Sequence, residues 1–288
     1  DSDFYEDLVR LKQSFPQITT TKIHLDPRFP ISRKMALNVG IKSAHYECMV
    51  FTSTDAVPQT DRWLSLMAKG FMRGEIVVGY CGVERGKGFA NYMMRAWRMM
   101  HSADWIARAV RRRAYRGTLH NYGFTKSLYF GANGFSHLNM NIGEDDLFMQ
   151  RVMTRDNVSV ILSPRASLRE KMWGGMGWWM SQLRYFGSAF RFYPRAVKTF
   201  VRWEMGSRVL FFATVICALA VMPPEYKLAA LLLAVIRYVV VALEVRRIAR
   251  RLGEGGIAGR YFIYDLLGPL WAAALGAMLL RRDNRVWR

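Results

Sequence analysis

The chain has 288 residues and a formal net charge of +20, so one α/β domain of about 200 residues would leave room for a further segment. Its three cysteines, Cys48, Cys81 and Cys217, are far apart, which argues against a disulfide scaffold or a zinc site. The positive charge predicts an anionic partner, but without a helix-turn-helix, RNP or zinc-finger pattern we do not expect nucleic acid to be that partner.

Strand-like and helix-like patterns alternate through the N-terminal part. The predicted elements are a helix over 4–15, a strand over 19–25, a helix over 33–44, a strand over 48–52, a helix over 59–71, a strand over 75–81, a basic helical stretch over 88–116, an extended segment over 122–130, a helix over 144–153 and a strand over 158–162. Pro16 must end the first helix, and Ser32 is a suitable N-cap for the second. The alternation predicts a doubly wound α/β domain over 1–170.

Three adjacent carboxylates, Glu144, Asp145 and Asp146, open a predicted helix in this basic chain. The helix dipole favours acidic groups in a first turn, so helix-start electrostatics is one interpretation. A functional site is the other, because a glycine-containing turn at 131–134 precedes the stretch and another carboxylate, Asp55, ends an apolar run. Carboxylates at strand ends of α/β sheets often carry metal and acid–base chemistry, so we expect Asp55 and Asp145 to meet in one site.

Arginine supplies five of the ten residues over 107–116. A solvated helix face and a surface that contacts phosphates or lipid headgroups are both compatible with this run. Arginine in place of lysine favours the second interpretation, because its planar fork binds phosphate through two hydrogen bonds.

Aromatic and basic residues alternate over 171–203, with glycines between them. This composition is typical of a membrane interface, and an ordinary core helix is the alternative. Burial of so many arginines would be costly, so we predict an amphipathic interfacial segment over 171–206.

Two apolar runs, over 208–222 and 226–245, are each close to the length of about 20 residues that a bilayer requires. Arg237 falls within the second run and would cost about 3 kcal/mol there unless it pairs or extends to the interface. A third run over 261–280 contains Asp265 and the helix breaker Gly268-Pro269. The expected transmembrane region over 207–288 therefore has two antiparallel spans followed by a kinked or re-entrant segment.

Basic residues flank both spans, before them at Arg195, Lys198, Arg202 and Arg208, and after them at Arg246, Arg247, Arg250 and Arg251. Because positively charged flanks stay on the cytoplasmic side, the N-terminal domain is expected in the cytoplasm.

Four blocks of the sequence, in order, resemble the family-2 inverting glycosyltransferases, particularly the bacterial membrane-anchored members. The blocks are R-K-M-A-L-N-V-G-I-K-S-A over 33–44, F-T-S-T-D-A-V-P over 51–58 followed by Trp63-Leu64, N-Y-G-F-T-K-S-L-Y-F-G-A-N-G-F over 121–135, and G-E-D-D-L-F over 143–148. The resemblance covers nearly the whole chain. It implies a GT-A fold (Rossmann-like and nucleotide-sugar-binding), a nucleotide-diphosphate sugar donor, and a divalent cation, Mg²⁺ or Mn²⁺, bridging the diphosphate.

The resemblance also implies roles for individual residues. Asp145 matches the family's catalytic base, Asp55 the metal-binding second acid of the DxD motif, and Lys34 a position near the nucleotide. Glu144 and Asp146 would tune the base or orient the acceptor. Ser53 stands where the motif has its first acid, and Gln182 with Arg184 is the nearest match to the Q-x-x-R-W block at the acceptor side.

These matches predict a multi-pass protein of the bacterial inner membrane that transfers sugar to a polysaccharide or lipid-linked glycan. The family's first strand and its acidic loop would precede Asp1, so we expect the sequence to be an N-terminally truncated form. The alternative is a catalytically impaired relative that binds nucleotide-sugar, anionic lipid or a partner at the membrane. A metal-dependent phosphotransferase or nuclease is a third hypothesis, and it lacks a P-loop or H-x-D companion motif.

Overall fold

The computed structural model describes residues 2–21, 23, 32–118, 120–136 and 146–281, and it divides the chain into two compact units, Asp1–Tyr46 and Glu47–Arg288. In the first unit, helix α1 covers Ser2–Ser14 and helix α2 covers Arg33–Ser43. The Ser32 hydroxyl accepts a hydrogen bond of 3.1 Å from the Met35 amide, which confirms the predicted N-cap.

The strand expected over 19–25 is not present in the described residues of that range. Residues 19–21 and 23 belong to no regular element, and the others lie outside the described part of the chain. A strand needs a neighbour that completes its backbone hydrogen bonds, and the described part of this unit offers no second strand. The β-branched composition of this stretch alone was therefore not sufficient to predict a strand in its described residues.

The second unit begins as a mixed α/β structure. Its elements are β1 (Cys48–Phe51), β2 (Ala56–Pro58), α3 (Trp63–Gly70), β3 (Ile76–Val78), β4 (Cys81–Val83), α4 (Phe89–Val110), β5 (Tyr122–Thr125), α5 (Lys126–Gly131), α6 (Leu147–Val152), β6 (Val158–Val160), a 3-10 helix (Pro164–Ala166) and β7 (Leu168–Glu170). A four-stranded sheet has the order β1-β5-β3-β6, and a three-stranded sheet has the order β2-β7-β4.

Both sheets are mixed rather than parallel throughout, unlike those of a doubly wound domain. β5 runs antiparallel to β1 and β3, whereas β3 and β6 are parallel. In the smaller sheet β7 is antiparallel to β2 and parallel to β4. The chain therefore passes from the larger sheet to the smaller one three times, between β1 and β2, between β3 and β4, and between β6 and β7.

The second passage explains why the strand predicted over 75–81 is two strands. Gly79 and Tyr80 separate β3 from β4, and the Gly79 amide donates a 2.9 Å hydrogen bond to the Asn121 carbonyl. A Cβ atom on Gly79 would lie 2.6 Å from the Asn121 side chain, so a larger residue would not fit without movement. The extended segment predicted over 122–130 likewise divides into β5 and α5.

An aromatic cluster packs against the larger sheet where α5 and α6 cover it. The Phe124 ring stacks on Tyr129 at a centroid distance of 5.8 Å, and Phe148 lies 5.1 Å from Phe135. The turn after α5 brings these rings together through Asn133 and Gly134, which have φ angles of 58° and 54°. A side chain at Gly134 would meet the Tyr129 ring at 2.7 Å, so both its φ and its surroundings favour glycine.

Four helices complete the second unit: α7 (Met176–Phe190), α8 (Arg195–Val221), α9 (Pro224–Leu252) and α10 (Tyr261–Arg281), with a 3-10 turn (Ala258–Arg260) before α10. α8 and α9, of 27 and 29 residues, are long and apolar enough to span a membrane, and most of their apolar surface is exposed. Residues 195–206, the last part of the predicted interfacial segment, form one continuous helix with the first predicted span. Gly268 and Pro269 lie inside the single helix α10.

The charged residue predicted within the second span has a partner. Arg237 on α9 forms an ion pair with Asp265 on α10, and Arg208 on α8 lies 3.6 Å from the same carboxylate. The Arg237 guanidinium also lies 4.5 Å from the ring centre of Phe211. Charges from three apolar helices thus offset one another in one cluster.

Candidate functional site

Asp55 lies where the chain leaves the larger sheet and enters the smaller one. β1 ends at Phe51, and β2 begins immediately after Asp55. The Ala56 amide donates to the Ser53 carbonyl over 3.1 Å, and the Lys171 amide donates to the Asp55 carbonyl over 3.0 Å. The second bond continues the pairing of β2 with β7, so the sheet fixes the backbone that carries this carboxylate.

The side chain of Asp55 is half-buried, and within the described part of the chain its carboxylate has no hydrogen-bond or ion-pair partner. The Ser53 hydroxyl is the neighbouring polar group, and it accepts a 3.5 Å contact from the Asp55 amide. Ser53 therefore turns toward its own loop, and Asp55 presents an unpaired anion in a strongly basic protein. Such a carboxylate is suited to a cationic ligand.

The predicted acidic stretch is described only at its last member. Glu144 and Asp145 lie outside the described residues, so the expected meeting of Asp55 with Asp145 stays a prediction. Asp146 is 1% exposed and forms the N-cap of α6, where its Oδ1 accepts a 2.6 Å bond from the Leu147 amide. Burial and capping give Asp146 a structural role in holding the end of this stretch.

A hydrogen-bonded chain connects Asp146 to the segment that follows α7. The Tyr193 hydroxyl donates to Oδ2 of Asp146 over 2.7 Å, and Arg116 Nη1 donates to the Tyr193 oxygen over 3.1 Å. Arg116 also lies 4.8 Å from the ring centre of Phe186 on α7. All three linked polar side chains are buried, so the acidic stretch is tied to the aromatic-basic segment.

Sequence reasoning did not assign Arg116 or Tyr193 to the site. Arg116 was one arginine of the run over 107–116, and Tyr193 one aromatic residue of the segment over 171–203. Two other arginines of the run behave differently: Arg112 makes an exposed ion pair with Asp156, and Arg108 lies 3.6 Å from the ring centre of Phe200. Membership of a run therefore gave no signal of which arginine turns inward.

The two acceptor-side candidates lie on α7. Gln182 is half-buried, and Arg184 is exposed, with its Nε donating a 3.2 Å bond to the Met180 carbonyl of the same helix. Trp179 on the buried face of α7 packs against Trp271 of α10 at 5.2 Å. α7 therefore packs on α10 through Trp179 and exposes Arg184.

Lys34, the expected nucleotide-side residue, is half-buried on α2 in the first unit. That unit is compact by itself, and the expected role of Lys34 near the nucleotide stays a prediction.

Asn121 organises the loops between the two sheets. Its side-chain amide donates to the carbonyls of Tyr80 and Ala166 over 2.8 and 2.9 Å, and its side-chain oxygen accepts a 2.9 Å bond from the Trp63 indole. The residue is fully buried, so every one of these bonds replaces water. Asn121 and Trp63 both fall within the blocks that resemble the glycosyltransferase family, but the blocks alone did not reveal that the two side chains bond to each other.

Buried ion pairs lie on the smaller sheet. Glu170 on β7 accepts from Arg98 of α4 over 2.8 Å. Glu254, which follows α9, accepts from Tyr80 over 2.8 Å and from Arg95 over 2.7 Å. Burial raises the pKa of the Cys81 thiol beside them to about 12. Cys81 is therefore protonated at neutral pH and is not a nucleophile.

A divalent cation fits part of this arrangement. Among the described residues no three His, Cys, Asp or Glu side chains converge as a metal-binding group. Mg²⁺ needs only one or two protein carboxylates when substrate phosphates and water supply its remaining oxygens, and Mn²⁺ accepts the same hard ligands. Asp55 is the described side chain that meets this requirement.

Comparison of the sequence with protein-family models and with curated proteins gives no match in either case.

Proposed function

We propose that this protein is a membrane-associated inverting glycosyltransferase of GT-A type. It would transfer a sugar from a nucleotide-diphosphate donor to a polysaccharide or lipid-linked glycan at the cytoplasmic face of the bacterial inner membrane. The observation that carries the proposal is the unpaired carboxylate of Asp55 at the junction of the two sheets. It belongs to one of the four sequence blocks that resemble the family.

The proposed chemistry is one displacement at the anomeric carbon. Asp145 removes the proton of the acceptor hydroxyl, the resulting oxygen attacks the anomeric carbon, and the nucleoside diphosphate leaves from the opposite face. A bound Mg²⁺ or Mn²⁺ would offset the charge that develops on the departing diphosphate. Asp55 is proposed to hold this cation, and Asp146, fixed by Tyr193, to position the preceding two carboxylates.

The remaining parts of the second unit support a membrane-bound acceptor. α8 and α9 are long and apolar enough to span a bilayer, and α7 packs on α10 beside them. The exposed guanidinium of Arg184 on α7 could contact an anionic acceptor. The bonds from Tyr193 to Asp146 connect this segment to the proposed catalytic stretch.

The test is release of nucleoside diphosphate from a panel of nucleotide-sugars by the full chain in lipid nanodiscs with Mg²⁺ or Mn²⁺. We expect Asp145→Asn to lower the rate by about 10²–10⁴-fold, the usual contribution of a general base. Asp55→Asn should raise the metal concentration required for half-maximal rate. Asp156→Asn is the control, since Asp156 is exposed and paired with Arg112. A rate that Asp145→Asn leaves unchanged would reject the proposal.

The impaired relative remains the second candidate, because Ser53 provides a hydroxyl that contacts its own turn where the family has a carboxylate. Metal-dependent binding of nucleotide without turnover would support it. In that case Ser53→Asp should increase the affinity for the metal ion, since it adds a second, negatively charged oxygen ligand.

A further inference from the structure

A groove of about 660 Å³ runs along the C-terminal half of α9 and ends at the connection to α10. Val239, Leu243, Arg246 and Arg250 line it from α9, and Gly256 lines it from the connection. These α9 positions are three or four residues apart and therefore form one stripe on the helix. At 1.5 Å per residue the stripe is about 16 Å long.

The two ends of the groove differ in chemistry. Val239 and Leu243 are exposed apolar side chains toward the middle of α9. Arg246 and Arg250 lie toward its C-terminal end, and within the described residues neither has an acidic partner. Arg85 adds a third guanidinium, because a Cβ on Gly256 would lie 3.6 Å from its Nη2.

The acidic residue that lines the groove does not cancel this charge. Glu254 is 5% exposed and is already bonded to Tyr80 and Arg95, with Arg169 at 3.7 Å. Its carboxylate is thus directed toward the smaller sheet and compensated there. The polar end of the groove keeps a net positive charge.

We propose that this groove binds one phospholipid with an anionic headgroup, whose phosphate lies between Arg246 and Arg250 and whose acyl chain follows Val239 and Leu243. A free phosphate would use only the cationic end, whereas the apolar stripe is continuous with the exposed apolar surface of α9 that a bilayer would cover. The inference rests on the proposed membrane location of α9. It is independent of sugar transfer.

The chain contains a matched control for charge. Arg247 follows Arg246 directly, but it does not line the groove and pairs with Glu244. Arg246→Gln with Arg250→Gln removes both groove cations, and Arg247→Gln removes a neighbouring exposed one. All three side chains are exposed, so these changes spare the folded core.

The experiment measures phosphatidylglycerol retained by the purified full chain in neutral detergent, by native mass spectrometry. We expect the double variant to bind about 30-fold more weakly, from about 1 kcal/mol per arginine at an anionic surface, and Arg247→Gln to match the wild type. Leu243→Asn should weaken the binding of the lipid but not the binding of inorganic phosphate. Equal loss in the Arg247→Gln and double variants, or equal binding of phosphatidylcholine, would overturn the proposal.

A second readout locates the lipid. Phosphatidylglycerol with a photoreactive group in its acyl chain should label the α9 segment containing Val239 and Leu243 in nanodiscs. Labelling confined to α8, or cross-linking of a second copy of the chain there, would contradict the site. If the full chain fails to enter the bilayer, both the groove and the membrane location are wrong. Specific lipid binding without any nucleotide-sugar turnover would support the groove and count against the transferase.

Discussion

The hydroxyl of Tyr193 donates a 2.7 Å hydrogen bond to Asp146, the last of the three adjacent carboxylates. Both oxygens of Asp146 are engaged, because the other one caps α6 at the Leu147 amide. Arg116 approaches the same Tyr193 oxygen, so an interior guanidinium supports the pair. The end of the acidic stretch is consequently fixed by a residue from the segment next to the apolar helices.

Tyr193→Phe should therefore affect stability and the proposed activity together. The change leaves the ring in place but removes the donor to Asp146 and the acceptor of Arg116 in a buried setting. We expect a loss of about 1–3 kcal/mol in the free energy of unfolding, the usual effect of a broken buried hydrogen bond. Urea unfolding followed by tryptophan fluorescence measures it. Tyr46→Phe, at an 81% exposed position, is the control and should change stability little.

Substitutions at Trp63 and Asn121 test how much the hydrogen bonds of the Asn121 side chain contribute to stability, because they remove one and three of these bonds. Trp63→Phe removes one of the three side-chain bonds of Asn121 and should cost about 1–2 kcal/mol. Asn121→Ala removes all three and leaves buried carbonyls without donors, so we expect a loss above about 3 kcal/mol. Thermal unfolding compares the two variants. Equal losses would show that the indole bond carries most of the effect and that the other two bonds matter little.

Most of the longer helices could be predicted from the sequence, because their signals are local, whereas the six-residue α5 was predicted to be extended. α2 has its Ser32 cap and α9 has a long apolar run, and both signals lie within the element itself. β2 and β7 contain three residues each and lack the apolar run that predicted the equally short β6, so neither was predicted. The break between β3 and β4 depends on Asn121, which is distant in sequence.

In the candidate site, too, features with a local signal could be predicted, whereas contacts between residues distant in sequence could not. Asp55 was predicted because it ends an apolar run, and the structure places it in the turn between β1 and β2, directly before β2 begins. The chain from Arg116 through Tyr193 to Asp146 joins residues 77 and 47 positions apart, so no local pattern could indicate it. Arg237 was expected to pair or to extend to the interface, and only the packing of three helices selects Asp265 as its partner.

His101 should make stability depend on pH below neutrality. Burial, followed by the nearby Arg116 and Arg98, lowers the pKa of His101 well below its usual value near 6.5. Its ring centre lies 5.4 Å from that of Trp97, which stacks on it, and 4.3 Å from that of Phe186. Its Nε2 is buried and has no hydrogen-bond partner in the described part of the chain. The imidazole is therefore neutral in the folded state.

The sign of the effect follows from proton binding. Below pH 6.5 the unfolded chain takes up a proton at His101 that the folded protein excludes, so stability falls as the pH falls toward the folded-state pKa. The slope of the unfolding free energy against pH approaches about 1.4 kcal/mol per pH unit in this window, and the effect is absent above pH 7. His101→Phe keeps an aromatic ring and should flatten the curve of unfolding free energy against pH over that window. The same slope in both proteins would contradict this assignment, and His45→Phe controls for loss of an exposed histidine.

The pair between Arg237 and Asp265 should hold α9 to α10. Asp265→Leu leaves Arg237 without its ion-pair partner, whereas Arg237→Leu leaves Asp265 with the more distant Arg208. We therefore expect a loss of about 3 kcal/mol for Asp265→Leu and a smaller one for Arg237→Leu. The double variant removes both charges and should be less destabilised than the sum of the single changes. In the double variant Arg208 loses Asp265 but keeps its ion pair with Glu204 of the same helix, so the remaining charges are still paired. Unfolding of the protein in mixed micelles by increasing sodium dodecyl sulfate measures all three variants. Arg247→Gln is the control, because it changes an exposed ion pair and should leave the detergent concentration at the unfolding midpoint unchanged. Additive losses in the double variant would show that Arg237 and Asp265 act independently.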